Sequence, residues 1–190
     1  MTTKSVLLVG VGGQGAILAS KLLTLGLMEA GYDVKMSEIH GMSQRGGSVS
    51  SQVRYGDKVC SPVIELGGAD ILVSFELMEA LRWLEYLKPA GKVVVNDYRI
   101  NPMPVISGKA AYADDILAQL QKVSDVTALD AASIAQELGN PRVMNIVLLG
   151  SIIKAMGLEQ IDWESIIRAN VKPAFVELNI QALQAGQAAL

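Results

Sequence analysis

The stretch VLLVGVGGQGAILASKLL constrains this chain more than any other. A short apolar run, Val6 to Val9, meets Gly10-Val11-Gly12-Gly13-Gln14-Gly15. A helix-patterned segment follows, with Ile17, Leu18, Leu22, Leu25 and Met28 at helical spacing and Gly31 as its stop. A continuous apolar run fits a strand buried on both faces. The glycines fit G-x-G-x-x-G at a strand-to-helix junction. Gly10 allows the tight turn, Gly12 lets an anion approach the backbone, and Gly15 lets helix and strand lie close. The helix start offers free N–H groups and partial positive charge, so the loop suits an anion. Gln14 adds a neutral amide donor.

The same rhythm continues. DVKMSEI reads as a second strand, and SVSSQVRYG as a strand exposed on one side. DILVSFE, KVVVND and DVTALD are further strands. The intervening helices are LMEALRWLEYL, ended by Pro89-Ala90-Gly91, then DDILAQLQKV and AASIAQELG. Residues 98–108 hold Pro102 and Pro104 and read as an irregular excursion or short edge hairpin. The last third is helical, with Asp162 as an N-cap. Strands separated by helices predict an α/β fold: a Rossmann-like, doubly wound, mainly parallel sheet with a helical C-terminal region. With no internal repeat or linker, residues 1–190 read as one domain.

The loop alone does not decide between two uses. A nucleotide site also needs an acidic residue about 20 positions on, at the end of the second strand, and Glu38 is in that region. A stand-alone NAD(P)- or FAD-binding oxidoreductase, or a nucleotide-binding sensor, therefore stays open beside a scaffold role. The segment HGMSQRGGS is the second candidate. Arg45 stands beside Gly46-Gly47, with Ser43, Gln44 and Ser48 around it. A guanidinium among hydroxyls and amides suits a carboxylate or phosphate. It follows the second strand, so it is expected near the glycine loop at the carboxyl edge of the sheet.

Composition narrows the chemistry. There is one cysteine and one histidine, too few for a zinc or iron–sulfur site within the chain. Cys60 has no cationic neighbour to activate it, and His40 no evident catalytic partner, so His40 reads as structural. Glu76 reads as a helix N-terminal carboxylate serving the dipole. No Ser-His-Asp set, P-loop lysine or paired-carboxylate signature appears. A net charge of −3 without a basic run argues against a nucleic-acid partner. The most apolar stretch, VMNIVLLGSII, falls far short of the roughly 20 residues of a membrane span and reads as a buried helix. The N-terminal run reaches a glycine too soon for a signal peptide. A cytoplasmic setting is expected.

Four segments in order, VLLVGVGGQGAILASKLL, HGMSQRGGSVSSQVRYG, SFELMEALR and GNPRVMNIVLLG, resemble the gamma-type subunits of 2-oxoacid:ferredoxin oxidoreductases. The form of HGMSQRGG is nearest the indolepyruvate branch. The resemblance implies oxidative decarboxylation of a 2-oxoacid to its acyl-CoA, with electrons passed to ferredoxin. It implies that thiamine diphosphate and iron–sulfur clusters sit in a large partner subunit, with no cofactor bound by this chain alone and no catalytic residue in it. The family-like positions are Gly12, Gly13, Gln14 and Gly15, with Arg45, Gly46 and Gly47. Together with Ser43 they are the candidate anion-binding or partner-facing residues.

Overall fold

The computed structural model describes residues 2–40 and 46–190. Its centre is a six-stranded sheet of β1 (Lys4–Val11), β2 (Asp33–His40), β3 (Ser48–Gly56), β4 (Ala69–Ser74), β5 (Leu87–Asn96) and β6 (Asp125–Leu129). The strand order is β2-β3-β1-β4-β5-β6. β1, β4, β5 and β6 run parallel, as buried apolar strands joined by helices should. β3 runs antiparallel between β1 and β2.

The pleat divides the core in two. Val6 and Leu8 point to one face with Val53, Tyr55 and Val73. That face is covered by α1 (Ala16–Glu29), α5 (Ala131–Glu137), α6 (Met144–Met156), α7 (Trp163–Asn170) and α8 (Val176–Ala188). Leu7 and Val9 point to the other, under α2 (Leu77–Arg82) and α4 (Ile116–Gln121). The helical C-terminal region thus packs on the sheet, and the stretch 146–153 of α6 is buried throughout. Asp162 caps α7 by accepting from Ser165 N at 3.1 Å.

Two local readings change. β3 is not exposed on one side: Val49 to Val53 are all buried. Its serines are small enough to lie under covering chain, and Gln52 Oε1 accepts from Ile64 N at 2.6 Å in the loop folded over it. The helix after β4 stops at Arg82, and a 3-10 turn spans Leu84–Tyr86 before β5 opens with an irregularity around Pro89. Proline is tolerated there because no regular ladder bond is lost. Of the two readings for residues 98–108, the irregular excursion holds, with a four-residue helix, α3 (Met103–Ile106), inside it.

Tyr55 gives the fold a pH signature. Burial, helped by Tyr32 and Asp70, pushes its phenol up to about 12. In the unfolded chain the phenol ionises near pH 10. Its contribution to stability is therefore whole below about pH 10 and shrinks as pH rises toward 12. Melting curves taken from pH 9 to 12 should show the wild type losing stability faster than Tyr55→Phe. Equal slopes would remove Tyr55 as the cause.

Candidate functional site

β1 delivers the chain to the carboxyl edge at Val11, where the glycine loop begins. Gly15 adopts a left-handed conformation (φ 83°) as the N-cap of α1. A Cβ there would also come within 2.7 Å of Asn145 Nδ2, so both backbone and space call for glycine. Asn145, in the first turn of α6, donates to Gly15 O at 3.2 Å. At Gly10 a Cβ would meet Gln14 Oε1 and Phe75 Cβ at 2.9 Å.

Gln14 does not project outward as a donor. Its Oε1 accepts from Val11 N, and its Nε2 donates to Phe75 O, each at 2.7 Å. The side chain is thus a brace between β1 and the end of β4. What remains for a ligand is backbone. Among the described residues, the N–H groups of Gly13, Gly15, Ala16 and Ile17 have no hydrogen-bond acceptor. They border a cavity of about 300 Å³ that Val49 also lines. Unpaired N–H groups at the start of a 14-residue helix form an anion-binding concavity.

The second loop joins the first, as expected from strand order. Gly12 N donates to Gly47 O at 2.8 Å, and Gly46 N to Gly12 O at 3.1 Å. Ser43 and Arg45 lie outside the described residues. Where the loop re-enters β3, Ser48 Oγ donates to Glu79 Oε2. The buried Glu79 carboxylate also accepts from Arg82 Nε at 3.2 Å and Trp83 Nε1 at 3.3 Å. Glu76, 1% exposed, caps α2 by accepting from Glu79 N at 3.0 Å, as its helix-start position predicted. Its other oxygen accepts from Ile100 N at 3.1 Å and from the Tyr112 hydroxyl. Arg99 lies over the Tyr112 ring, 4.1 Å from its centroid. These two carboxylates border a cavity of about 370 Å³ that reaches Gly46 and Val11.

Glu79 lies beside the loops, as its place with Glu76 just after the DILVSF strand predicts; sequence reading missed Asn145, Tyr112 and the inward turn of Gln14. GNPRVMN carried a signal for the first in an asparagine interrupting an apolar run. Tyr112 had none.

The dinucleotide test fails on topology. The ribose-binding carboxylate belongs at the end of a strand next to β1. β1's neighbours are β3, which points the other way, and β4. Glu38 is on β2, two strand spacings or about 10 Å away. Its Oε1 accepts from Ser20 Oγ at 3.2 Å. Cys60 is exposed and free. Among the described residues no helix is long and apolar enough to cross a membrane.

Comparison with known proteins agrees with this geometry. Residues 5–189 match the family described as pyruvate ferredoxin/flavodoxin oxidoreductase. The chain is 39% identical to "Indolepyruvate oxidoreductase subunit IorB" of Archaeoglobus fulgidus, over 96% of this chain and 92% of the relative. It is 37% identical to the protein of the same name in Thermococcus kodakarensis, over 98% and 95%. Among solved structures, the keto/oxoacid ferredoxin oxidoreductase gamma subunit of Geobacter sulfurreducens PCA superposes with a TM-score of 0.72 at 25% identity, covering 98% of this chain and 97% of that one. A matching strand–loop–helix, a second glycine loop bonded to it, and near-complete coverage converge on one assignment: the chain belongs to the pyruvate ferredoxin/flavodoxin oxidoreductase family, as a gamma-type subunit.

Proposed function

We propose that this chain is a single gamma-type domain, residues 1–190, acting as the non-catalytic subunit of a cytoplasmic 2-oxoacid:ferredoxin oxidoreductase whose substrate is indolepyruvate or a related aryl pyruvate. The relatives named for indolepyruvate support that substrate class. The larger partner subunit supplies thiamine diphosphate and iron–sulfur clusters, coenzyme A accepts the acyl group, and ferredoxin takes the electrons. An iron–sulfur cluster needs several thiolates, and this chain has one cysteine.

The observation that carries this reading is the joined pair of loops at the carboxyl edge. Gln14 is consumed internally, and the helix start beside Gly46-Gly47 presents backbone N–H groups outward. Such a surface binds and orients an anionic group by donated hydrogen bonds and moves no proton of its own. We assign it to the phosphate or carboxylate part of coenzyme A or substrate at the border with the partner, with Gly12, Gly13, Gly15, Gly46 and Gly47 supplying backbone, Gln14 bracing the turn, and Ser43 and Arg45 adding side-chain contacts.

Co-expression with the candidate large subunit, purified through a tag on one chain, tests this. The two should co-elute, and 2-oxoacid-dependent dye reduction should require both. Independent elution with undiminished activity of the large subunit would overturn it. Within the complex, Arg45→Ala should lower activity tenfold or more while the melting temperature of the isolated chain stays within about 2 °C, since a surface ion pair contributes only about 0–1 kcal/mol. A large fall in melting temperature with full activity would make Arg45 structural.

A further inference from the structure

A cavity of about 440 Å³ lies away from the glycine loop. It opens on the same face of the sheet as α1, between the N-terminal ends of α6 and α8. Two cations, Arg142 and Lys172, line it, and no carboxylate does. Among the described residues neither cation has a carboxylate partner. Both α6 and α8 are 13-residue helices, so their positive ends add to the same field.

A second observation is independent of charge. Asn145 and Asn179, 4% and 6% exposed, also line the cavity. Each spends its amide N–H₂ on backbone: Asn145 Nδ2 on Gly15 O at 3.2 Å, and Asn179 Nδ2 on Phe175 O at 2.7 Å. Among the described residues no donor reaches either Oδ1. On both cavity-lining residues the carbonyl oxygen is therefore without a protein donor and free to accept from a ligand. Phe175, 47% exposed, and Leu18 supply an apolar wall.

We propose that this cavity binds a phosphate monoester of nucleoside type. Two uncompensated cations match the double negative charge of a phosphate monoester better than the single charge of a carboxylate. The asparagine oxygens accept from amino or hydroxyl groups of base and sugar. Phe175 offers a face on which a flat ring stacks. A bare anion leaves the asparagines unused, and a neutral nucleoside leaves the cations unused. This site is separate from the glycine loop, and it does not rest on the oxidoreductase assignment.

Titration of adenosine 5′-monophosphate into the ¹⁵N-labelled full chain tests it. Saturable shifts are expected in the first turns of α6 and α8 at millimolar ligand. Adenosine alone and inorganic phosphate should each bind about tenfold or more weakly, and Arg142→Gln with Lys172→Gln should weaken the monophosphate by a similar factor. Both cations are exposed, so the double variant should melt with the wild type. Absence of saturable shifts, shifts confined to residues 12–17, equal binding by inorganic phosphate, or indifference to the double substitution would each overturn the proposal.

Discussion

Gly186→Ala should destabilise the chain by about 2–4 kcal/mol, although alanine is the better helix former by up to about 1 kcal/mol. The reason is the crossing of α6 and α8. A Cβ built on Gly186 falls 1.9 Å from Val147 O, and one on Gly150 falls 2.1 Å from Leu183 O. Both obstacles are helix backbone, which cannot step aside as a side chain can. The helices must part by more than about 1 Å, and close packing degrades along the whole contact. Ser151 Oγ, which donates to Gly186 O at 3.0 Å across the crossing, is left with only Val147 O of its own helix, at 3.3 Å. Gly150→Ala should behave alike. The double variant should cost less than the sum, because the first methyl group has already separated the helices. Chemical denaturation of the four proteins measures this. A change below about 0.5 kcal/mol in either single variant would mean that the helix crossing does not depend on these two glycines.

The same glycines show what was legible in the sequence. The buried character of α6 was plain in VMNIVLLGSII, because a period-free apolar run can hide only among other elements. That Gly150 and Gly186 meet was not, because neither carries a local signal. β1, the glycine turn and α1 were legible for the opposite reason. Turn, cap and packing demands all fall within a few consecutive residues, and each selects glycine by its own steric rule.

The insertion of β3 between β1 and β2 was the main thing hidden. Strand pairing is non-local, and local pattern reports burial rather than neighbours. Here it misreported burial as well, because Ser50, Ser51 and Gln52 are polar yet covered. That single misplacement mattered for function, since it left Glu38 standing as a ribose ligand. At the site, the proximity of the two glycine loops followed from strand polarity alone. The direction of Gln14, by contrast, depended on Phe75 O, 61 residues away.

The second large effect is expected at Glu76. Its two oxygens take three donors, Glu79 N, Ile100 N and the Tyr112 hydroxyl, while that hydroxyl accepts from Met78 N at 3.1 Å. Glu76→Gln replaces one acceptor oxygen by a donor. Either Glu79 N or the pair Ile100 N and Tyr112 then faces an amide N–H₂, and a cost of about 2–4 kcal/mol follows. Tyr112→Phe strands Met78 N and removes one donor from Glu76, at about 1–2 kcal/mol. The double variant should be more stable than the sum predicts by about 1 kcal/mol, since both changes break one shared bond. The pH dependence adds a sharper sign. Burial first, and then the Glu76 carboxylate, hold the Tyr112 phenol above its ordinary value. The wild type should therefore shed stability above about pH 10, where the unfolded phenol ionises and the folded one does not. Tyr112→Phe should flatten that alkaline fall, and Glu76→Gln should flatten it in part. Function should follow the same bond, because Ile100 and Glu76 border the cavity that reaches Gly46. In the assembled complex Glu76→Gln should lower turnover even at temperatures where the variant is fully folded. Additive stability losses with an unchanged alkaline limb would show that the Glu76–Tyr112 contact does not couple the two.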